Sequence, residues 1–115
     1  MLDDISSVAV RTALSGLAMR QRVIADNVAN IETPGFLAGR VEFEGALKAA
    51  LTDGSAGDVS PSVARSLEPT RINGNNVNLD HETLSNVDTG LRYQLMLRAV
   101  DHKVGLYTTV MRGGA

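Results

Sequence analysis

The chain has 115 residues, 43% hydrophobic and 21% charged, with a net charge of −2 and a pI near 5.6. That is enough for one domain. It excludes a basic nucleic-acid stripe, any disulfide or thiolate site, since there is no cysteine, and any apolar run near the roughly 18 residues of a membrane helix.

The first predicted element runs from about Asp3 to Ile31. Val10, Leu14, Leu17, Gln21, Ile24, Val28 and Ile31 follow alternating spacings of four and three, a heptad seam with one polar member. Asp3 or Asp4 suits its positive N-terminal end. The opening MLDDISS has neither the basic nor the apolar region of a secretory leader, so no cleaved signal is expected. Pro34 stops the helix, because the residue before a proline is pushed out of the α region. Thr33-Pro34-Gly35 then forms a turn in which Gly35 supplies a positive φ, and Phe36 follows as an apolar anchor. Asn27 and Asn30 sit three apart at the helix end, where their amides can bond the exposed carbonyls or the turn beyond.

The middle, residues 37–78, is read as loop-rich. Residues 52–78 hold five aliphatic side chains in 27, among many Gly, Ser, Pro and Asn. Asn73-Gly74, between Ile72 and Val77, predicts a tight turn or a small hairpin near 72–77. The last element spans about Leu79 to Met111. Asn78 or Asp80 caps it, and Gly113 and Gly114 mark its far end. It carries two apolar stripes, one through Leu84, Val87, Leu91, Leu95, Ala99, His102, Leu106 and Val110. The other passes through Met96, Val100, Val104, Tyr107 and Met111.

Helices of about 29 and 33 residues reach roughly 43 and 50 Å, whereas a compact chain of this size has a radius of gyration near 13–14 Å. The expected fold is mostly α: two long terminal helices in an elongated antiparallel coiled-coil-like hairpin, around a loop-rich middle. Three segments follow: 1–36, the first helix and its turn; 37–78; and 79–115, the second helix. Two apolar stripes exceed what one partner helix covers. The seam at Leu14, Leu17, Ile24, Val28 and Ile31 is expected to pack on Leu84, Leu91, Leu95 and Leu106. The stripe at Met96, Val100, Tyr107 and Met111 is left for neighbouring subunits, and the free helices are expected to be frayed.

Little in the chain suggests chemistry. His81 and His102 are 21 residues apart with no second ligand at metal-binding spacing. Asp80 and Glu82 point to different sides of a helix and are read as favouring its N-terminal dipole. Asn73–Asn76 lacks the acidic ligands of a calcium loop, and no nucleophile elbow is present. No catalytic residue, metal ligand, cofactor or small-molecule substrate is expected.

Two runs carry a resemblance. RQRVIADNVANIETPGF over 20–36 is similar to the N-terminal signature of the flagellar rod, hook and hook-associated axial proteins, through Asn27, Asn30, Thr33, Pro34, Gly35 and Phe36. NGNNVNLDHE over 73–82, with Gly74, Asn75 and Asn76, resembles an element of a proximal rod member, although Asn78 stands where Asp is common. The short length argues against members with inserted domains. The resemblance implies a structural subunit of the proximal rod in the periplasm-spanning basal body, exported by the flagellar type III apparatus without a cleaved signal. Its implied partners are other copies of itself, other rod proteins, a FliE-like adaptor and the MS ring. A sister proximal rod protein and a soluble helical export adaptor or chaperone stand as alternatives.

Overall fold

The computed structural model describes residues 5–111, except the side chains at 5, 6, 56, 103, 104, 106, 107, 110 and 111. The caps expected at Asp3, Asp4, Gly113 and Gly114, and the packing roles given to Val104, Leu106, Tyr107, Val110 and Met111, lie outside the described residues. In chain order the elements are α1 (Ile5–Ala29), β1 (Gly39–Glu42), α2 (Glu44–Asp53), a 3-10 turn (Ala56–Asp58), β2 (Ser62–Arg65) and α3 (Leu79–Met111).

The two terminal helices lie antiparallel. The end of α1 meets the start of α3 through Asn27 and Glu82, while Ala13, further back on α1, packs in the same cluster as Met96, further along α3. The molecule measures 65 × 27 × 14 Å with a radius of gyration of 17.9 Å, well above the roughly 13 Å of a compact chain this long. The elongated helical hairpin expected from helix length is therefore the observed one.

The middle is more ordered than its composition suggests. Residues 72–77 do form a turn rather than strands. The two-stranded sheet lies elsewhere, with β1 and β2 antiparallel and Gly39 opposite Arg65, Glu42 opposite Ser62. The ten-residue α2 was not expected, although its sequence EGALKAALTD has the signals: strong helix formers, an apolar Leu47–Ala50–Leu51 edge, and Gly54 behind it. Gly54 ends the helix at φ 81°, its N–H on Ala50 O.

The core centres on Leu17, Val41 and Phe43, with Ala13, Val23, Leu47, Tyr93 and Met96 packed around it. Phe43 lies across α1 at Gly16. A Cβ on Gly16 would meet three ring carbons at 2.5–2.7 Å, so the helix approaches the ring only because that position has no side chain. Arg20, one turn further along α1, holds its guanidinium 5.1 Å from the ring centroid.

One sequence expectation is overturned inside the chain. The face of α3 turned toward α1 is Glu82, Ser85, Thr89, Tyr93, Met96 and Val100, all buried or half-buried. The leucine stripe meant to pack there is exposed: Leu84 72%, Leu91 61% and Leu95 60%. Met96 and Val100, assigned to neighbours, turn inward instead. The reason is rotational. Each leucine lies two residues beyond an inward member, about 200° around a helix of 3.6 residues per turn. Once Glu82 is turned inward, Leu84 must point away. On α1 the seam is better kept, with Leu17 and Ile24 buried and Val10, Leu14, Gln21 and Ile31 half-buried, whereas Val28 is exposed.

Thr89 sits fully buried in that inward face, and its Oγ1 has no hydrogen-bond partner among the described residues. A buried hydroxyl left unpaired costs about 1–3 kcal/mol. Valine has nearly the same shape and a similar helix propensity. Thr89→Val is therefore expected to raise stability by about 1 kcal/mol, read as an increased urea midpoint; a lowered midpoint would mean that the hydroxyl is in fact bonded.

Candidate functional site

The two motifs singled out in the sequence, at 27–36 and 73–82, fold onto each other. The first ends α1. Asn30 N–H reaches Asp26 O and Asn27 O, its Nδ2 also donates to Asp26 O, and Thr33 Oγ1 donates to Asn30 Oδ1. Phe36 N–H then closes on Thr33 O at 3.2 Å, with Gly35 between them at φ 74°. This is the turn and the positive φ expected of Pro34-Gly35. Phe36 is half-buried beneath the Arg65 guanidinium, 5.5 Å from its ring centroid.

The second motif supplies partners for the first. Gly74 N–H bonds Arg71 O at 2.9 Å in a tight turn, with Gly74 at φ 82°. Its Cα lies flat against Gly35, where a Cβ would come 3.2 Å from Gly35 Cα. Gly35 N–H donates to Asn73 O at 2.8 Å. The two glycines thus let two backbones meet, each in a conformation that disfavours a side chain. Asn75, fully buried, donates through Nδ2 to Asn30 O and Thr33 O at 2.8 and 2.9 Å. It gives a second donor to two turn carbonyls that already accept Thr33 N–H and Phe36 N–H, and so fastens the second motif to the turn beyond α1. Arg71 adds a guanidinium bond to Ile31 O and another to Val77 O. Asn76 accepts from Ala38 N–H at 2.7 Å and donates to Ser66 O and Glu68 O. It ties the segment after β2 to the chain entering β1.

A third layer links α1, β1 and α3. Asn27 does not cap its own helix end, as its spacing from Asn30 suggested. It is fully buried and pairs both amide atoms with the backbone of Gly39, accepting at 2.8 Å and donating at 3.0 Å. Its Nδ2 also lies 3.2 Å from both oxygens of Glu82. Glu82 is likewise fully buried and takes a 2.7 Å salt bridge from Arg40 on β1. The helix-dipole role expected of Glu82 is therefore secondary to this bond network. Asp80 remains exposed. Asn78 caps α3, accepting His81 N–H at 3.1 Å. What sequence reading missed is that Asn27 and Asn75 each reach across to the other motif, while Asn76 serves the middle segment. The only local signal was an excess of amides in two short stretches.

A second polar clamp lies nearer the core. Arg20 on α1 gives two guanidinium bonds to Glu44 at the start of α2, at 2.6 and 2.7 Å, and one to Val41 O. Arg92 on α3 reaches the same carboxylate at 3.4 Å and Asp88 at 2.9 Å. The Arg20 bonds hold the Glu44 carboxyl below the usual carboxylate range. A group whose native pKa is depressed adds stability above its ordinary value, here 4.5, and loses it as pH falls through the lowered one. Glu44→Gln is expected to cost up to about 1 kcal/mol at neutral pH, a half-exposed pair being worth no more. The gap from the unmodified chain should close as pH drops below 4.5; a pH-independent gap in urea midpoints would assign the effect to packing.

Beside this clamp, Val10, Leu17, Leu47, Leu51, Leu91 and Leu95 line an open apolar groove of about 490 Å³. It runs into the exposed leucine face of α3. Among the described residues, no group of three or more His, Asp or Glu side chains could hold a metal. No helix of the described residues is long and apolar enough to cross a membrane.

A long helical hairpin, locked by amides at one end and left apolar along its outer face, defines a subunit built to be completed by others. The family described as flagella basal body rod protein matches this chain over residues 9–36, the stretch holding the seam and the first motif. The flagellar basal body rod protein FlgB of Bacillus subtilis is 31% identical, the match covering 91% of this chain and 92% of that protein. FlgB of Borreliella burgdorferi is 30% identical over 77% of this chain and 82% of its own length. FlgB of Escherichia coli K12 is 28% identical over 89% of each. The chain belongs to the FlgB family of flagellar basal body rod proteins. It is a structural rod subunit of the basal body, and the sister rod protein FlgC is not the favoured reading.

Proposed function

We propose that this subunit builds the proximal, periplasmic part of the rod, and that the exposed leucine face of α3, with the adjoining groove, receives neighbouring rod subunits. The observation that carries the proposal is the 60–72% exposure of Leu84, Leu91 and Leu95, the last two lining the open groove with Val10 and Leu17 of α1. Each such side chain is worth roughly 1.5–3 kcal/mol when covered. Several together offset the ordering that assembly demands of side chains and helix at the contact.

In this reading residues 1–36 and 79–115 form the axial helices and 37–78 holds them in register. Met96 and Val100 stabilise the subunit internally; Leu84, Leu91 and Leu95 act between subunits. Rod proteins, further copies of this chain, a FliE-like adaptor and the MS ring are the partners, and the flagellar type III apparatus exports the chain. The assembled rod transmits torque around the export channel.

The test separates the two faces. Leu91→Asp and Leu95→Asp are expected to leave the soluble chain folded yet abolish its incorporation into purified basal bodies, and with it motility. Leu17→Asp should block assembly by disrupting the core itself. Normal motility in Leu91→Asp and Leu95→Asp would refute the proposal. The export-adaptor reading predicts instead a stable soluble dimer absent from basal bodies. Circular dichroism adds a second check: the isolated chain should show less helix than the structure contains, and full helicity in a cooperative monomer would remove the coupling of folding to assembly.

A further inference from the structure

We infer that Asn73 is a conditional deamidation site, open in the unfolded chain and closed by the fold. Asn-Gly is the dipeptide in which this reaction meets least steric resistance, because glycine leaves its nitrogen unshielded. The Gly74 nitrogen loses its proton to base and attacks Cγ of Asn73. A nitrogen–carbon bond forms, the bond from Cγ to the side-chain nitrogen breaks, and ammonia leaves after taking a proton from water. Water then opens the succinimide at either carbonyl, giving aspartate or isoaspartate.

The folded chain blocks the first step at the peptide unit that must react. Gly74 N–H is held by Arg71 O at 2.9 Å, and the carbonyl of the same unit, Asn73 O, is held by Gly35 N–H at 2.8 Å. Pinned at both polar ends, the unit cannot turn its nitrogen toward Cγ without breaking two bonds. Asn73 Oδ1 is engaged as well, accepting Asn75 N–H at 3.1 Å.

The two products differ in consequence. Aspartate at 73 keeps an oxygen where Oδ1 accepts Asn75 N–H. Isoaspartate inserts a methylene into the main chain between Asn73 and Gly74. That shifts Asn75 and Asn76 away from Asn30, Thr33 and Ala38, the partners that join the motifs. Chain that lingers unfolded would thus lose its ability to close the junction, whereas chain already built in would not age at this position.

The experiment compares the chain within purified basal bodies with the same chain in urea, at equal pH and temperature, by peptide mapping for isoaspartate at 73 and by ammonia release. Native chain should react about tenfold or more slowly, as a locally protected amide does. Isoaspartate-bearing chain should fail to refold after urea removal, while Asn73→Asp chain refolds. Equal rates in the two states would overturn the inference, as would refolding of the isoaspartate form with its junction amides protected from exchange.

Discussion

Asn27→Ala is expected to lower stability by about 3–5 kcal/mol and to release β1 and α3 from α1 together. The side chain is fully buried and serves three groups: Gly39 N–H, Gly39 O and the Glu82 carboxylate. Alanine leaves Gly39 N–H without the amide oxygen that accepts it, and each buried group left unpaired costs about 1–3 kcal/mol. Arg40 continues to serve both Gly39 O and Glu82, which keeps the total below a simple sum. Asn27→Asp separates charge from shape. It keeps the acceptor for Gly39 N–H but sets a second carboxylate beside that of Glu82, so it should be at least as damaging at neutral pH and partly recover in mild acid, where protonation restores a donor. Urea midpoints across pH, with amide exchange at Gly39, would check both substitutions. An Asn27→Ala midpoint near that of the unmodified chain would show that the network contributes little.

Gly16→Ala is the second large effect, and its sign runs against helix propensity. In an exposed helix the change would stabilise by about 1 kcal/mol. Here the new methyl would lie 2.5–2.7 Å from the Phe43 ring, which is itself 97% covered and backed by Leu17 and Val41. The ring cannot swing aside without uncovering that cluster and leaving the Arg20 guanidinium. Overpacking of this kind costs about 1–3 kcal/mol or more, so a net loss of about 2 kcal/mol is expected. Phe43→Leu should be destabilising alone but should relieve the clash, so the double variant should be more stable than the two single losses predict. Strict additivity would mean that the ring and the glycine do not act on each other. Gly16 and Phe43 meet inside the core, so these losses should appear in the isolated chain, whereas Leu91 and Leu95, exposed along the groove that Phe43 also lines, should act chiefly on assembly when changed to Asp.

The two helices were legible because periodicity and stop signals are local. α3 begins at Leu79 as its Asn78 cap implied and is helical through the described residues up to Met111, and α1 ends shortly before Pro34. The turn at Thr33–Phe36 was equally legible, since a proline followed by a glycine leaves few conformations. The length of the helices against the size of a compact globule already called for an elongated molecule with apolar surface to spare.

Which surface was spared could not be read that way. Two apolar stripes on one helix have comparable claims to the core, and hydrophobicity does not choose between them. The choice was made by Glu82, a charged residue that burial ordinarily excludes. Only when Asn27 and Arg40 converge on it from α1 and β1 does its inward position become favourable. That convergence joins residues 55 and 42 positions apart in the chain. The amides of Asn75 and Asn76 likewise have partners only across long separations. The sequence alone therefore determined two long helices, the turn at Pro34 and an apolar excess. Tertiary structure decided the rotation of α3, because a buried hydrogen-bonded carboxylate is a stronger constraint on a helix face than one leucine stripe over another.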